Sequence, residues 1–351
     1  MKAPLPYKAL IWALAVLLSA CLRPEGKGGE VEILFSLDAA PKLKSLEGAV
    51  DENSVVYWCL LIYDNNGRLL KEVMDLKTSS YSMVVDAGEY SRVTVYAFAN
   101  IEPGSLEMGW ADEDKLLSNS YGLDIVQQNG ILPMGFRLRT GFSSSGTVGI
   151  SLKRMVSKIR LRSLVVDLKG KYAEDEFYEG AVYLQNVIPK MSLKQYFSNT
   201  SDIAATEGHY PWFYHDNWLY SIFTTDKYRG EYDERDAAGL FGIGELFYTL
   251  PNFCHALPSD DPDWADLCTK LVVEAEYKSK ESQELLEVYY PVEVLNLQSG
   301  FLEPNNVYDV DIVIHAPGYS DPWGPRVNVD PQVSFSLEVQ TWDNYSINEN
   351  I

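Results

Sequence analysis

From residue 30 onward, apolar and polar residues alternate in short runs divided by turn residues, a spacing that belongs to half-buried strands rather than to helices. In the first run Val31, Ile33, Phe35 and Leu37 share one face while Glu30, Glu32 and Ser36 share the other. Residues 38–53 are polar, carry Pro41 and Gly48, and read as a loop. The next run, Val55 to Tyr63, is almost continuously apolar and ends at Asp64-Asn65-Asn66-Gly67-Arg68. There Asn-Gly supplies the positive φ of a tight hairpin, with Leu69 to Leu76 as the returning strand. A second turn at Asp86-Ala87-Gly88-Glu89 precedes a strand at Val93 to Asn100, and only residues 110–118 look helical.

Phe142-Ser-Ser-Ser-Gly146 marks a composition shift and reads as a linker. Strands then resume at Val148 to Val166, Ala181 to Val187, Lys270 to Tyr277, Val288 to Leu295, Val307 to Ile314 and Val333 to Thr341. In the last of these Val333, Phe335, Leu337 and Val339 alternate cleanly with Ser334, Ser336, Glu338 and Gln340. At ~1.5–3 kcal/mol per buried large apolar side chain, that face is worth on the order of 10 kcal/mol before ordering entropy is subtracted. A sandwich lacking such a strand exposes a groove and unpaired backbone. The strand therefore either completes its own sandwich or exchanges between subunits by strand addition. No period of 20–50 residues recurs, which excludes a solenoid. The pattern predicts an all-β chain of sandwich type. A length of 351 residues exceeds what one core usually serves, so two domains are expected, at 30–147 and 148–351.

The N-terminus changes the picture of where these domains work. Lys2 and Lys8 precede an apolar stretch from Ala9 to Leu18, and Leu17-Leu18-Ser19-Ala20-Cys21 has the form that a bacterial lipoprotein signal peptidase recognises. The stretch is too short to span a bilayer, which needs ~20 residues. Residues 1–20 are expected to be a signal peptide, Cys21 the acylated residue, and Gly- and charge-rich residues 21–29 a flexible tether. Without residues 1–20, 27 basic side chains face 50 acidic ones, a net charge of −23. Such a surface is repelled by phosphate backbones and anionic lipid, which argues against nucleic-acid binding and leaves lipid, not charge, as the anchor.

Beyond Cys21 an exported chain has three cysteines, an odd count that permits one bridge and a spare. Cys254 and Cys268 flank an acidic loop and could pair, whereas Cys59 lies in an apolar run and reads as a core residue. The most basic stretch alternates Lys158, Arg160 and Arg162 against Ile159, Leu161 and Ser163. It is either a patch for an acidic partner or a solvated outer strand face. Residues 209–220, inside a segment near 199–245, are rich in aromatic rings. Trp212, Tyr214 and Trp218 offer flat faces on which sugars or partner side chains could stack, or they pack as an insertion on the second domain.

Catalytic signatures are weak. Gly141 to Gly146 has one residue too many for a nucleophile elbow, and His209, His215, His255 and His315 lack metal-ligand spacing. The expectation is no enzyme, no metal and no cofactor.

The order of features is the most specific signal. Cys21 with its lipobox is followed by Leu60-Leu-Ile-Tyr-Asp-Asn-Asn-Gly67, then Ala87-Gly-Glu-Tyr90 with Ala97-Phe-Ala-Asn100, then Ser151-Leu-Lys-Arg-Met-Val-Ser-Lys158. Phe247-Tyr-Thr-Leu-Pro-Asn252, Tyr289-Tyr-Pro-Val292, Pro304-Asn-Asn-Val-Tyr308 and a final strand ending Thr341-Trp342 complete the series. This order resembles the fimbrillin family of type V pilus subunits and their anchors over nearly the whole chain. The resemblance implies two transthyretin-like sandwiches in tandem, outer-membrane lipidation at Cys21, other pilus subunits as partners, and a role in cell adhesion. It also implies assembly in which a protease removes the first strand, residues 30–37, so that a neighbour's C-terminal strand fills the groove. Shaft subunits of that family are cut after an arginine, yet no arginine lies between Arg23 and Arg68. Lys42 and Lys44 could serve a protease of broader basic specificity; an uncut anchor or accessory subunit fits equally. A surface glycan-binding lipoprotein using the aromatic segment is the alternative function.

Overall fold

A computed structural model describes residues 29–38, 54–101, 107–122, 132–185, 187, 190–198, 246–252, 269–296, 298–320 and 333–341. Strands dominate them. The first group is β1 (Glu30–Leu37), β2 (Trp58–Asp64), β3 (Leu69–Leu76), β4 (Ser80–Asp86), β5 (Val93–Ala99), β6 (Ser120–Gly122), β7 (Met134–Thr140), β8 (Gly146–Ile150) and β9 (Lys153–Arg154). The second is β10 (Ser157–Val166), β11 (Glu176–Gln185), β12 (Lys190–Ser192), β13 (Leu246–Thr249), β14 (Lys270–Lys278), β15 (Leu285–Glu293), β16 (Asn306–Ile314) and β17 (Val333–Thr341). Among the described residues the α-helices are α1 (Glu113–Ser118) and α2 (Leu193–Phe197).

A five-stranded sheet in the order β3-β2-β5-β7-β9 faces a three-stranded sheet in the order β4-β1-β8. Strand alternation builds the core between them: Val31, Ile33, Phe35 and Leu37 from β1 meet Trp58, Leu60 and Ile62 from β2 and Val95, Ala97 and Ala99 from β5. The other faces of β2 and β5 are buried too, because Cys59, Leu61, Tyr63, Tyr96 and Phe98 join a second cluster. That double burial is why residues 55–63 read as one apolar run instead of an alternation. The second cluster continues between a four-stranded sheet, β13-β10-β16-β17, and a three-stranded sheet, β11-β14-β15.

Local chemistry fixes the turns. In the hairpin between β2 and β3, Gly67 alone takes the positive φ, +77°, while Asp64 Oδ1 accepts from the amides of Asn66 and Arg68 at 2.8 and 2.9 Å. Those amides hold the Asp64 carboxyl below the usual carboxylate range. Asp112 caps α1 by accepting from the Lys115 amide at 2.8 Å.

Two expectations need correction. Residues 142–146 are a turn within the first pair of sheets, not a linker. Phe142 is buried edge-on to Phe35 at 5.9 Å and stacked on Tyr90 at 6.5 Å. After the turn β8 runs parallel to β1, and β9 pairs with β7, so a division at 147/148 would cut through β8. Serine- and glycine-rich composition suits a tight turn as well as it suits a tether. The second correction concerns β10, whose register shifts between Leu161 and Ser163. This bulge resets the alternation, so that Leu164 and Val166 return to the core while Ser163 turns toward Asp311.

Candidate assembly site

β1 sits in the middle of its sheet, antiparallel to β4 and parallel to β8. Its inward side chains are 8%, 2%, 0% and 7% exposed at Val31, Ile33, Phe35 and Leu37. The outward face is tied down by polar contacts: Ser82 Oγ donates to Glu32 Oε1 at 2.8 Å, and the Glu32 amide donates to Ser145 Oγ at 2.9 Å. At its end the Leu37 amide donates to the Ser79 carbonyl and the Asp38 amide to the Ile150 carbonyl, both at 2.9 Å. Four buried apolar side chains stabilise this placement by roughly 6–12 kcal/mol before entropy. Taking β1 away would open an apolar slot with an unpaired edge on each side, β4 and β8. Such a slot satisfies its backbone only by accepting another strand.

β17 lies at the opposite extreme, on a sheet edge, paired among the described strands with β16 alone, over nine residue pairs from Asn306↔Thr341 to Ile314↔Val333. Leu337 and Val339 are half-buried against the core, and Ser334, Ser336, Glu338 and Gln340 are exposed. Val333 and Phe335 hold the register positions opposite Ile314 and Ile312. The edge position explains why Leu337 and Val339 are covered less completely than the inward side chains of β1.

Two arginines of the basic stretch on β10, both half-exposed, pair with the chain's own acids. Arg160 clasps Asp309 with both prongs, Nε to Oδ1 at 2.7 Å and Nη2 to Oδ2 at 2.6 Å. Arg162 reaches Asp311 through Nη2 at 2.5 Å and Glu338 through Nη1 at 2.8 Å, and so joins β10, β16 and β17. Ser163 and Ser336 also donate to Asp311, at 2.6 and 3.1 Å. The Arg162 guanidinium, helped by these hydroxyls, holds the Asp311 carboxyl down to about 2. Unfolded, an aspartate titrates near ~3.9, so its stabilising contribution is complete above about pH 4 and is lost as pH falls toward about 2. With solvent screening this amounts to about 1–2 kcal/mol. Urea midpoints measured from pH 5 to pH 2 should show that loss in the wild type and not in Asp311→Asn. Equal slopes for the two proteins would refute it. Residue spacing in β16, with acids at 309 and 311, carried the signal for these pairs, but its partnering with β10 was not legible.

Two more of the candidate side chains have definite places in the sheets. Cys59 is a free, buried thiol pushed up to about 12 by burial. His315 Nδ1 donates to the Asp167 carbonyl at 3.0 Å and its Nε2 pairs with Ser334 Oγ at 2.9 Å, and so pins the end of β10 and of β16 to the start of β17. Cys21, Lys42, Lys44, Trp212, Tyr214, Trp218, Cys254 and Cys268 lie outside the described residues. Among the described residues no helix is long and apolar enough to cross a membrane, and no group of three or more His, Cys, Asp or Glu could hold a metal.

Solved structures share this arrangement. A candidate cell adhesion protein from Parabacteroides distasonis ATCC 8503 aligns with a TM-score of 0.59 at 15% identity, covering 90% of this chain and 99% of its own. A candidate cell adhesion protein from Bacteroides eggerthii DSM 20697 aligns with a TM-score of 0.58 at 15% identity, covering 90% and 97%. A fimbrilin from Porphyromonas gingivalis W83 aligns with a TM-score of 0.57 at 13% identity, covering 90% and 98%. This is a fimbrilin fold. No protein-family model matches the sequence, and no curated protein does. The fimbrilin fold thus agrees with the ordered motifs between residues 60 and 308, each of which lies on or beside a strand of the two sheet pairs.

Proposed function

We propose that the protein is a non-enzymatic surface lipoprotein, a fimbrial subunit or anchor that acts in pilus assembly and cell adhesion through strand exchange. The observation that carries this reading is the position of β1. It is the N-terminal strand among the described residues, it fills the centre of a sheet, and its loss would leave a slot shaped for a replacement. Two transthyretin-like sandwiches divide between Arg154 and Ser157, since β8 and β9 pair within the first group of strands. Acylated Cys21 holds the chain on the outer membrane, and related subunits are its partners. The absence of arginine from residue 24 to residue 67 favours an anchor or accessory subunit over a shaft subunit.

Two measurements test this. Mass spectrometry of the protein from outer membranes should find a mature start at acylated Cys21. A start near residue 43 or 45 would assign it to the shaft instead, and an unacylated chain from neither class would overturn the reading. Separately, a protease site placed between residues 42 and 45 allows β1 to be cut free and removed under mild denaturant. The trimmed protein is expected to bind a synthetic peptide of residues 29–38 saturably and, without it, to form oligomer ladders. A trimmed chain that neither binds nor oligomerises would rule out exchange.

A further inference from the structure

Residues 190–198 follow β11 of the second sheet pair yet lie on the first. β12 pairs antiparallel with β6, Met191 opposite Tyr121, and the Leu193 amide donates to the Asn119 carbonyl at 2.8 Å. α2 is five residues long, far below the length at which a helix is stable alone. It is held by a capping box, in which the Gln195 amide donates to Ser192 Oγ at 3.2 Å and the Ser192 amide donates to Gln195 Oε1 at 2.8 Å. It is held also by what its last turn covers. Phe197 packs edge-on to Tyr96 at 5.2 Å and Phe98 at 5.7 Å, rings on the outer face of the five-stranded sheet. Tyr196 stands edge-on to Tyr121 and donates to the Lys153 carbonyl at 3.3 Å. Gly135 makes room: a Cβ there would sit 3.0 Å from Tyr196 Cε1 and 3.3 Å from Phe197 Cζ.

Packed units within one chain usually meet through modest interfaces and move against each other. Here a segment from the second half seals an apolar face of the first, and the buried cluster runs without a break through both. We propose that residues 190–198 are a latch that makes the two sheet pairs one cooperative body, so that pull on one end passes to the other without hinging. The coupling holds whether or not the chain belongs to a fimbria; only the source of the pull rests on that reading.

Hydrogen exchange of the full chain, followed by mass spectrometry of peptides covering β5 and β14, tests the latch. In the wild type the slowest amides of both peptides should exchange through one opening with equal protection. In Tyr196→Ala/Phe197→Ala the two peptides should lose protection unequally, the β5 amides exchanging roughly 100-fold faster than in the wild type and the β14 amides accelerating distinctly less. Gly135→Val displaces the same rings without deleting them and should split the two peptides in the same direction by roughly 10-fold. It provides the readout if the double variant does not fold. Equal acceleration of both peptides would show that the segment adds stability without coupling and would overturn the proposal, as would no change, or unequal protection in the wild type.

Discussion

Phe35→Ala should lower the free energy of unfolding by about 3–5 kcal/mol, the cost of emptying a fully buried aromatic site that cannot collapse around the gap. Phe35 is 0% exposed, touches Phe142 edge-on, and stands in a strand clamped by ladders on both sides. The neighbouring Leu34 is the control, because it is 38% exposed on the opposite face and Leu34→Ala should change stability by no more than about 0.5 kcal/mol. Urea unfolding monitored by tryptophan emission, to which Trp58 in the same core contributes, measures both. If the two variants differ by less than about 1 kcal/mol, β1 is not the strand whose apolar face closes the first core, and the slot argument fails with it. If the difference is as expected, Phe35→Ala should also speed capture of the residue 29–38 peptide, since a weakened resident strand leaves the slot more often.

Much of this fold is legible from period alone, and the illegible parts share a cause. β1 and β17 alternate because one face of each meets a core and the other meets solvent, so Val31 to Leu37 and Val333 to Val339 read directly as strands. β2 and β5 are buried on both faces, and their continuous apolar runs announce burial without saying which side chain faces which cluster. Sequence pattern does not encode which strands become neighbours. The parallel pairing of β1 with β8 and the contact of Arg160 with Asp309, 149 residues away, follow from topology alone. At residues 142–146 the serines and glycine fit a turn and a tether equally, and what separates the two is whether the adjoining aromatic ring, Phe142, has somewhere to be buried. The latch does leave a trace, Ser192-Leu-Lys-Gln195, a capping box ahead of Tyr196-Phe197. A helix of five residues, however, has no periodicity to detect.

Arg160→Ala is the second large effect expected, a loss of about 3 kcal/mol, because it strands a carboxylate instead of merely removing a contact. Asp309 is 2% exposed, and Arg160 grips it with two hydrogen bonds of 2.7 and 2.6 Å. Arg162 comes no nearer to it than 3.9 Å and is already committed to Asp311 and Glu338. Arg160→Lys keeps the charge but not the planar fork and should fall between wild type and alanine. Replacing the pair together, Arg160→Met with Asp309→Leu, should recover most of the loss, since it removes the buried carboxylate along with its half-exposed partner instead of leaving it unpaired. Glu338→Ala removes only an exposed partner of Arg162 and should leave the urea midpoint nearly unchanged. The ordering decides the interpretation: if Glu338→Ala were as damaging as Arg160→Ala, the edge strand β17 would be held by charge, and it could not leave its sheet without first breaking that network. The geometry favours the other result, in which β17 is kept by its ladder to β16 and by Leu337 and Val339, while the clasp of Arg160 on buried Asp309 fixes the parallel register of β10 on β16 beneath it.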